Sequence, residues 1–150
     1  MNELRDLYQE VILDHRKKPR NFRPMEDADS QAEGHNPLCG DQITIFLKVR
    51  NGVIEDVSFQ GDGCAISMAS ASLMTEVLKG KTPQEAEDLF GKFHDLVTDN
   101  GTHRGEGASL GKLEVLAGVK EFPMRVKCAT LAWHTLHAAL EHKNQVVTTE

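Results

Sequence analysis

DQITIFLKVRNGVIEDVSFQ, residues 41–60, reads as two strands around Arg50-Asn51-Gly52. Both arms alternate apolar and polar residues and are rich in Ile, Val, Thr and Phe, the composition of a half-buried strand. Asn-Gly between two such runs is a strong hairpin signal. Two registers compete. A two-residue Asn-Gly loop sets Ile43, Ile45 and Leu47 opposite Gln60, Ser58 and Asp56, apolar against polar. A three-residue loop with Gly52 left-handed pairs Ile43 with Phe59, Ile45 with Val57 and Val49 with Val53. The second gathers the apolar side chains on one face and is the expected register, with Leu47 opposite Glu55 its one misfit.

Outward from the hairpin the pattern is helical. Leu4, Leu7, Tyr8, Val11 and Ile12 form one stripe at helical period, ending near Lys18 because Pro19 disfavours helix before it. Residues 21–36 are polar, with Pro24 and Gly34, and predict a loop with a short edge strand. The small-residue run from Ala65 predicts a helix closed by Gly80. Thr82-Pro83-Gln84-Glu85 has the form of a capping box and opens another helix to about Val97. A short helix over Leu110 to Val119 and a last one from about Met124 to His142 follow, and the tail 143–150 is expected to fray. The prediction is therefore an α+β domain, about five helices with a small antiparallel sheet.

A chain of 150 residues suffices for one domain with its own core, and no repeat or linker divides 1–150. Seventeen basic against 23 acidic residues, net charge −6, argue against a nucleic-acid footprint. No apolar run approaches the roughly 20 residues of a membrane span, and the N-terminus lacks a signal-peptide core. Three cysteines, an odd number, do not make a disulfide framework, so reduced thiols in the cytoplasm are expected.

Each cysteine sits where an element begins or ends. Cys39 lies in Pro37-Leu38-Cys39-Gly40-Asp41, Cys64 in Gly61-Asp62-Gly63-Cys64-Ala65, and Cys128 in the first turns of the last helix. Helix N-termini favour thiolate over thiol. A free cysteine is often only a small buried hydrophobe. Glycine and aspartate flanks make that less fitting for Cys39 and Cys64. Three thiolates suit zinc or iron–sulfur chemistry, and a tetrahedral ion needs a fourth donor. Asp41, two residues from Cys39, is the economical choice, its alternative role being a turn carboxylate. His35 and His103 are rivals; His134 and His137 are expected at the surface, and His15, His94 and His142 carry no argument.

Asn36-Pro37-Leu38-Cys39-Gly40-Asp41, Gly61-Asp62-Gly63-Cys64-Ala65-Ile66-Ser67 and Arg125-Val126-Lys127-Cys128-Ala129-Thr130-Leu131-Ala132-Trp133 together resemble the three cysteine segments of the NifU/IscU iron–sulfur assembly scaffolds. The resemblance runs to about residue 142 and is nearest the SufU branch. Lys127 stands where the IscU branch has a histidine, and the stretch 101–121 resembles the SufU insertion.

The resemblance implies a three-stranded antiparallel sheet with helices on one side, and zinc held by Cys39, Asp41, Cys64 and Cys128. It implies a pyridoxal-phosphate cysteine desulfurase of the SufS type as partner, which passes persulfide sulfur to Cys39 as the reacting residue, and iron–sulfur assembly proteins downstream. Arg125 and Lys127 fall at the implied partner interface or beside the ligands; a surface charge is the plainer role of Arg125. The implied function is zinc-dependent sulfur transfer. The alternatives are a scaffold that builds and hands on a [2Fe–2S] cluster, with iron or the cluster as cofactor, and a purely structural zinc site.

Overall fold

The computed structural model describes residues 3–37, 40–98, 122–141 and 146–148, with positions 113, 114, 116 and 119. The elements run α1 (Glu3–Lys17), β1 (Ser30–Asn36), β2 (Asp41–Arg50), β3 (Val53–Asp62), α2 (Ala65–Leu78), α3 (Pro83–Thr98), α4 (Pro123–Leu140) and β4 (Val146–Thr148). The class is α+β, as expected. The three antiparallel strands lie in the order β3-β2-β1, and β4 adds a short parallel partner on the far side of β1. Part of the tail expected to fray therefore pairs with the sheet, and β1 is not an edge. The described residues hold four α-helices rather than five. The expected helix over Leu110 to Val119 falls mostly outside the described residues, although Leu113, Leu116 and Val119 are buried. Most of the expected insertion at 101–121 lies outside them too.

The hairpin corrects the predicted register. Asn51 and Gly52 both have positive φ, 54° and 75°, and Arg50 pairs with Val53, so the turn is the two-residue loop. Such a turn matches strand twist. The pairing then shifts by one: Val49 faces Ile54, but Lys48 faces Asp56, which leaves Glu55 as the extra residue of a β-bulge. Beyond the bulge Leu47 meets Val57 and Ile45 meets Phe59. Apolar residues thus oppose each other, as the patterning demanded, but a bulge at the former misfit Glu55 achieves it. Glu55 faces solvent and reaches Arg50 at 3.2 Å.

Ile43, Ile45, Leu47, Val57 and Phe59 are buried in a core shared with Leu73 and Met74 of α2 and Trp133 and Leu136 of α4. Each such side chain is worth roughly 1.5–3 kcal/mol relative to exposure. The serines and alanines of α2 let α1 and α4 approach it closely, and their hydroxyls are used. Ser70 donates to the Ala129 carbonyl (2.6 Å) and accepts from the Trp133 indole (3.3 Å). Ser72 Oγ meets His15 Nδ1 at 2.7 Å, pinning α1. His15, which the sequence left without a role, is buried. The side chains of Leu4, Leu7 and Tyr8 lie outside the described ones; farther along that stripe, Ile12 is buried. At Gly34 a Cβ would stand 2.0 Å from Thr135 Oγ1, so β1 lies directly against α4. That approach brings the end of β1 beside Cys128.

Two further expectations hold. Gly80 follows α2 with φ +86°. The capping box is reciprocal: Glu85 N donates to Thr82 Oγ1 at 3.1 Å, and Thr82 N donates to Glu85 Oε1 at 2.9 Å.

Candidate metal centre

Three elements converge at one end of the sheet. Asp41 opens β2, Cys64 is the N-cap residue of α2, and Cys128 sits in the second turn of α4. One donor atom from each lies within 4.8 Å of the others. Asp41 and Cys128 are almost fully buried, at 2% and 3% exposure, and Cys64 is half-buried. Cys39 lies outside the described residues, between Pro37 and Gly40.

Asp41 is oriented on both oxygens. The Cys64 N–H donates to Oδ1 at 2.8 Å, and the Cys64 thiol approaches Oδ2 at 3.8 Å. Asn36, the partner of Asp41 across β1 and β2, donates from Nδ2 to Asp41 Oδ2 at 3.4 Å and to Cys128 Sγ at 3.5 Å. Gly63 leaves the space this needs, because a Cβ there would meet Asp41 Oδ1 at 2.6 Å. The sequence flagged Asp41 by its distance from Cys39. In the sequence Asn36 stands only as part of a motif; its pairing with Asp41 across the β1–β2 connection is the signal that singles it out.

The electrostatics favour thiolate at Cys64. Its thiol is pulled down to about 7, first by the adjacent Cys128 thiol, then by the N–H groups of Ser67 and Ile66, while burial and the Asp41 carboxylate oppose the shift. The Ser67 N–H reaches Cys64 Sγ at 3.4 Å, the expected contact of a helix N-terminus. Cys128 is deeper in its helix, where such influence fades.

The donor set fits a small tetrahedral cation with soft ligands. Bonds of about 2.3 Å to sulfur imply ligand edges of about 3.8 Å, inside the observed spread. Two thiolates and a carboxylate leave one position for a further donor. His35 does not join this group: it neighbours Asn36 on β1, and successive strand residues point to opposite faces. His103 lies outside the described residues.

A second cluster, Glu87, His137 and Glu141, joins α3 to α4. His137 Nδ1 lies 2.7 Å from Glu87 and Nε2 lies 3.1 Å from Glu141, so each ring nitrogen already faces a carboxylate. That is an ion-pair clasp rather than a chelate. His134, expected at the surface, is more than half-buried against Phe90; burial lowers its pKa, with His94 and His137 adding to the shift. Arg125 is exposed and stacks 4.4 Å over the Phe122 ring, Met124 beside it is also exposed, and Lys127 is half-buried.

An α+β domain with a convergent thiolate–carboxylate cluster at the sheet end is the class of protein defined here. The model of the NifU-like N-terminal domain matches residues 7–129, and the chain belongs to that family. It is 43% identical to the zinc-dependent sulfurtransferase SufU of Bacillus subtilis over 87% of this chain and 86% of that one. It is 39% identical to the iron–sulfur cluster assembly scaffold protein IscU of Streptococcus pyogenes, over 94% and 87%. Among solved structures, a SUF-system iron–sulfur cluster assembly scaffold protein from Fervidobacterium islandicum superposes with a TM-score of 0.82 at 38% identity, covering 90% of this chain and 97% of that one. Among the described residues, no helix is long and apolar enough to cross a membrane.

Proposed function

We propose that this chain is a cytoplasmic sulfur-transfer protein of iron–sulfur cluster assembly, which accepts persulfide sulfur from a SufS-type cysteine desulfurase on Cys39. The convergence of Asp41, Cys64 and Cys128 carries the reading. Chain reach supports adding Cys39 to them, since it is two residues from Asp41 and two residues span at most about 7 Å. With Cys39 the set becomes three thiolates and a carboxylate, which suits zinc. Zinc, when bound, supplies a redox-inert Lewis acid that keeps thiols deprotonated. The likeness to a relative named a zinc-dependent sulfurtransferase points the same way.

In the transfer the Cys39 thiolate attacks the outer sulfur of the desulfurase persulfide. A new S–S bond forms on Cys39, the desulfurase S–S bond breaks, and the desulfurase cysteine leaves as thiolate. Exposed Phe122 and Met124, with Arg125 stacked over the former, give the partner an apolar and cationic face next to Cys128. The sulfur then passes to downstream assembly proteins.

The test mixes the purified protein with a cysteine desulfurase and cysteine. Stimulated turnover and a persulfide on Cys39 by mass spectrometry are expected, both lost in Cys39→Ser. Absence of both effects in the unaltered protein sinks the relay. The likeness to proteins named scaffolds favours a second reading, in which the same thiolates carry a [2Fe–2S] cluster. A colourless zinc protein supports the first reading; a brown protein with visible absorption supports the second.

A further inference from the structure

Asn36 ends β1 fully buried, and its one amide nitrogen serves two of the converging donors, Asp41 Oδ2 at 3.4 Å and Cys128 Sγ at 3.5 Å. The amide's orientation follows from chemistry. Both neighbours are acceptors when ionised, so the nitrogen must face them; the reverse would set a carbonyl against a carboxylate. The other end, Oδ1, is buried without a hydrogen-bond partner among the described residues. A buried acceptor left unmet costs stability, and an apolar side chain of the same size would avoid that cost. The amide is thus poorly suited to a purely packing role and well suited to its two acceptors.

We propose that Asn36 is a positioning residue for the metal centre, which ties the carboxylate of β2 to the thiolate of α4 through a single N–H donor group. The proposal rests on the metal reading above. Asn36 and Cys128 lie 92 residues apart in the chain, and their contact joins β1 to α4 at the metal end, while the Ser30 hydroxyl donates to the Ala139 carbonyl at the other end of the same two elements. Donors to ligating sulfur and oxygen fix ligand orientation and stabilise the charged form, and losing one costs about 10–100-fold in metal affinity. Hydrogen bonding to a thiolate also lowers its lone-pair energy, so a charge-transfer band from that sulfur moves when the donor is removed.

The test compares the full chain with Asn36→Leu, nearly isosteric and without a donor, and Asn36→Ala. Zinc affinity is read by competition with a chromophoric chelator, cobalt-loaded protein by its thiolate-to-metal band, and metal-free protein by thermal melting. The expected result is at least tenfold weaker zinc binding and a band at longer wavelength, with the metal-free Asn36→Leu protein melting close to the original. Unchanged affinity and an unmoved band overturn the proposal. So does a loss of affinity matched by an equal loss of metal-free stability with the band in place, which marks a packing role. If neither variant folds, Asn36→Ser is read by the same three measurements. A wild-type protein that takes up neither zinc nor cobalt takes down the metal reading itself, an outcome separate from failure at Asn36.

Discussion

The backbone N–H of Cys64 donates to Asp41 Oδ1 at 2.8 Å, so the first residue of β2 anchors the first turn of α2. Asp41 thus accepts from the Cys64 backbone besides offering a carboxylate oxygen to the proposed metal, and the two roles are separable. Asp41→Asn keeps an acceptor for that N–H and removes the charge; Asp41→Ala removes both. Zinc affinity, measured by chelator competition, is expected to fall in both and further in Asp41→Ala. Equal affinities across the three proteins would exclude Asp41 from the site.

Gly63 tests the same carboxylate from outside. Gly63→Ala puts a methyl group 2.6 Å from Asp41 Oδ1 and must displace it. Zinc affinity is expected to drop about tenfold or more, on the scale of lost supporting contacts. Gly52→Ala meets open space but holds a φ of +75°, so it is expected to lower stability by about 1 kcal/mol and leave zinc affinity unchanged. If both variants affect zinc alike, the local argument at Gly63 is wrong.

With a thiol at about 7, metal-free Cys64 is expected to be alkylated by iodoacetamide with a rate that climbs through pH 7. Peptide mapping after brief exposure at stepped pH checks this. The linked stability has a defined sign. The folded pKa lies below the ordinary 9.0, so this thiol's contribution is full above 9.0 and disappears as pH falls through 7. Metal-free protein should therefore gain stability from this group between pH 7 and 9, a gain abolished in Cys64→Ser.

Far from the site, Thr82→Ala removes the acceptor of the Glu85 N–H and is expected to cost about 1 kcal/mol by denaturant unfolding. Because Glu85 reciprocates, the double variant with Glu85→Ala should lose less than the sum of the singles. Additive losses would mean that the two bonds act independently.

Much of this was legible in the sequence, for identifiable reasons. Helix boundaries carry local signals, and Thr82-Pro83-Gln84-Glu85, Gly80 and Pro19 marked theirs through the backbone chemistry they impose. The β2/β3 register was not legible. Alternation alone admits a three-residue loop or a two-residue loop with a bulge, and both gather the apolar residues; the bulge at Glu55 decides it. Val146–Thr148 escaped notice because three residues are too short for a period to show. At the site, Cys64 and Cys128 were nameable because each lies near the start of a helix, and Asp41 because it stands two residues from Cys39. Asn36 was not, since its role arises from a strand pairing and a helix contact at long sequence distance. His15 is buried and His134 partly buried by tertiary packing that no local pattern announces.

The donors arise on β2, the start of α2 and the second turn of α4, so no single stretch of chain can hold them in place. An ion bound there favours the folded ensemble by mass action: at a hundred times its dissociation constant the gain is about 2.7 kcal/mol, provided the unfolded chain binds weakly. Chelators would then behave as mild denaturants of the whole domain, and its melting temperature would report the free metal concentration of the solution around it.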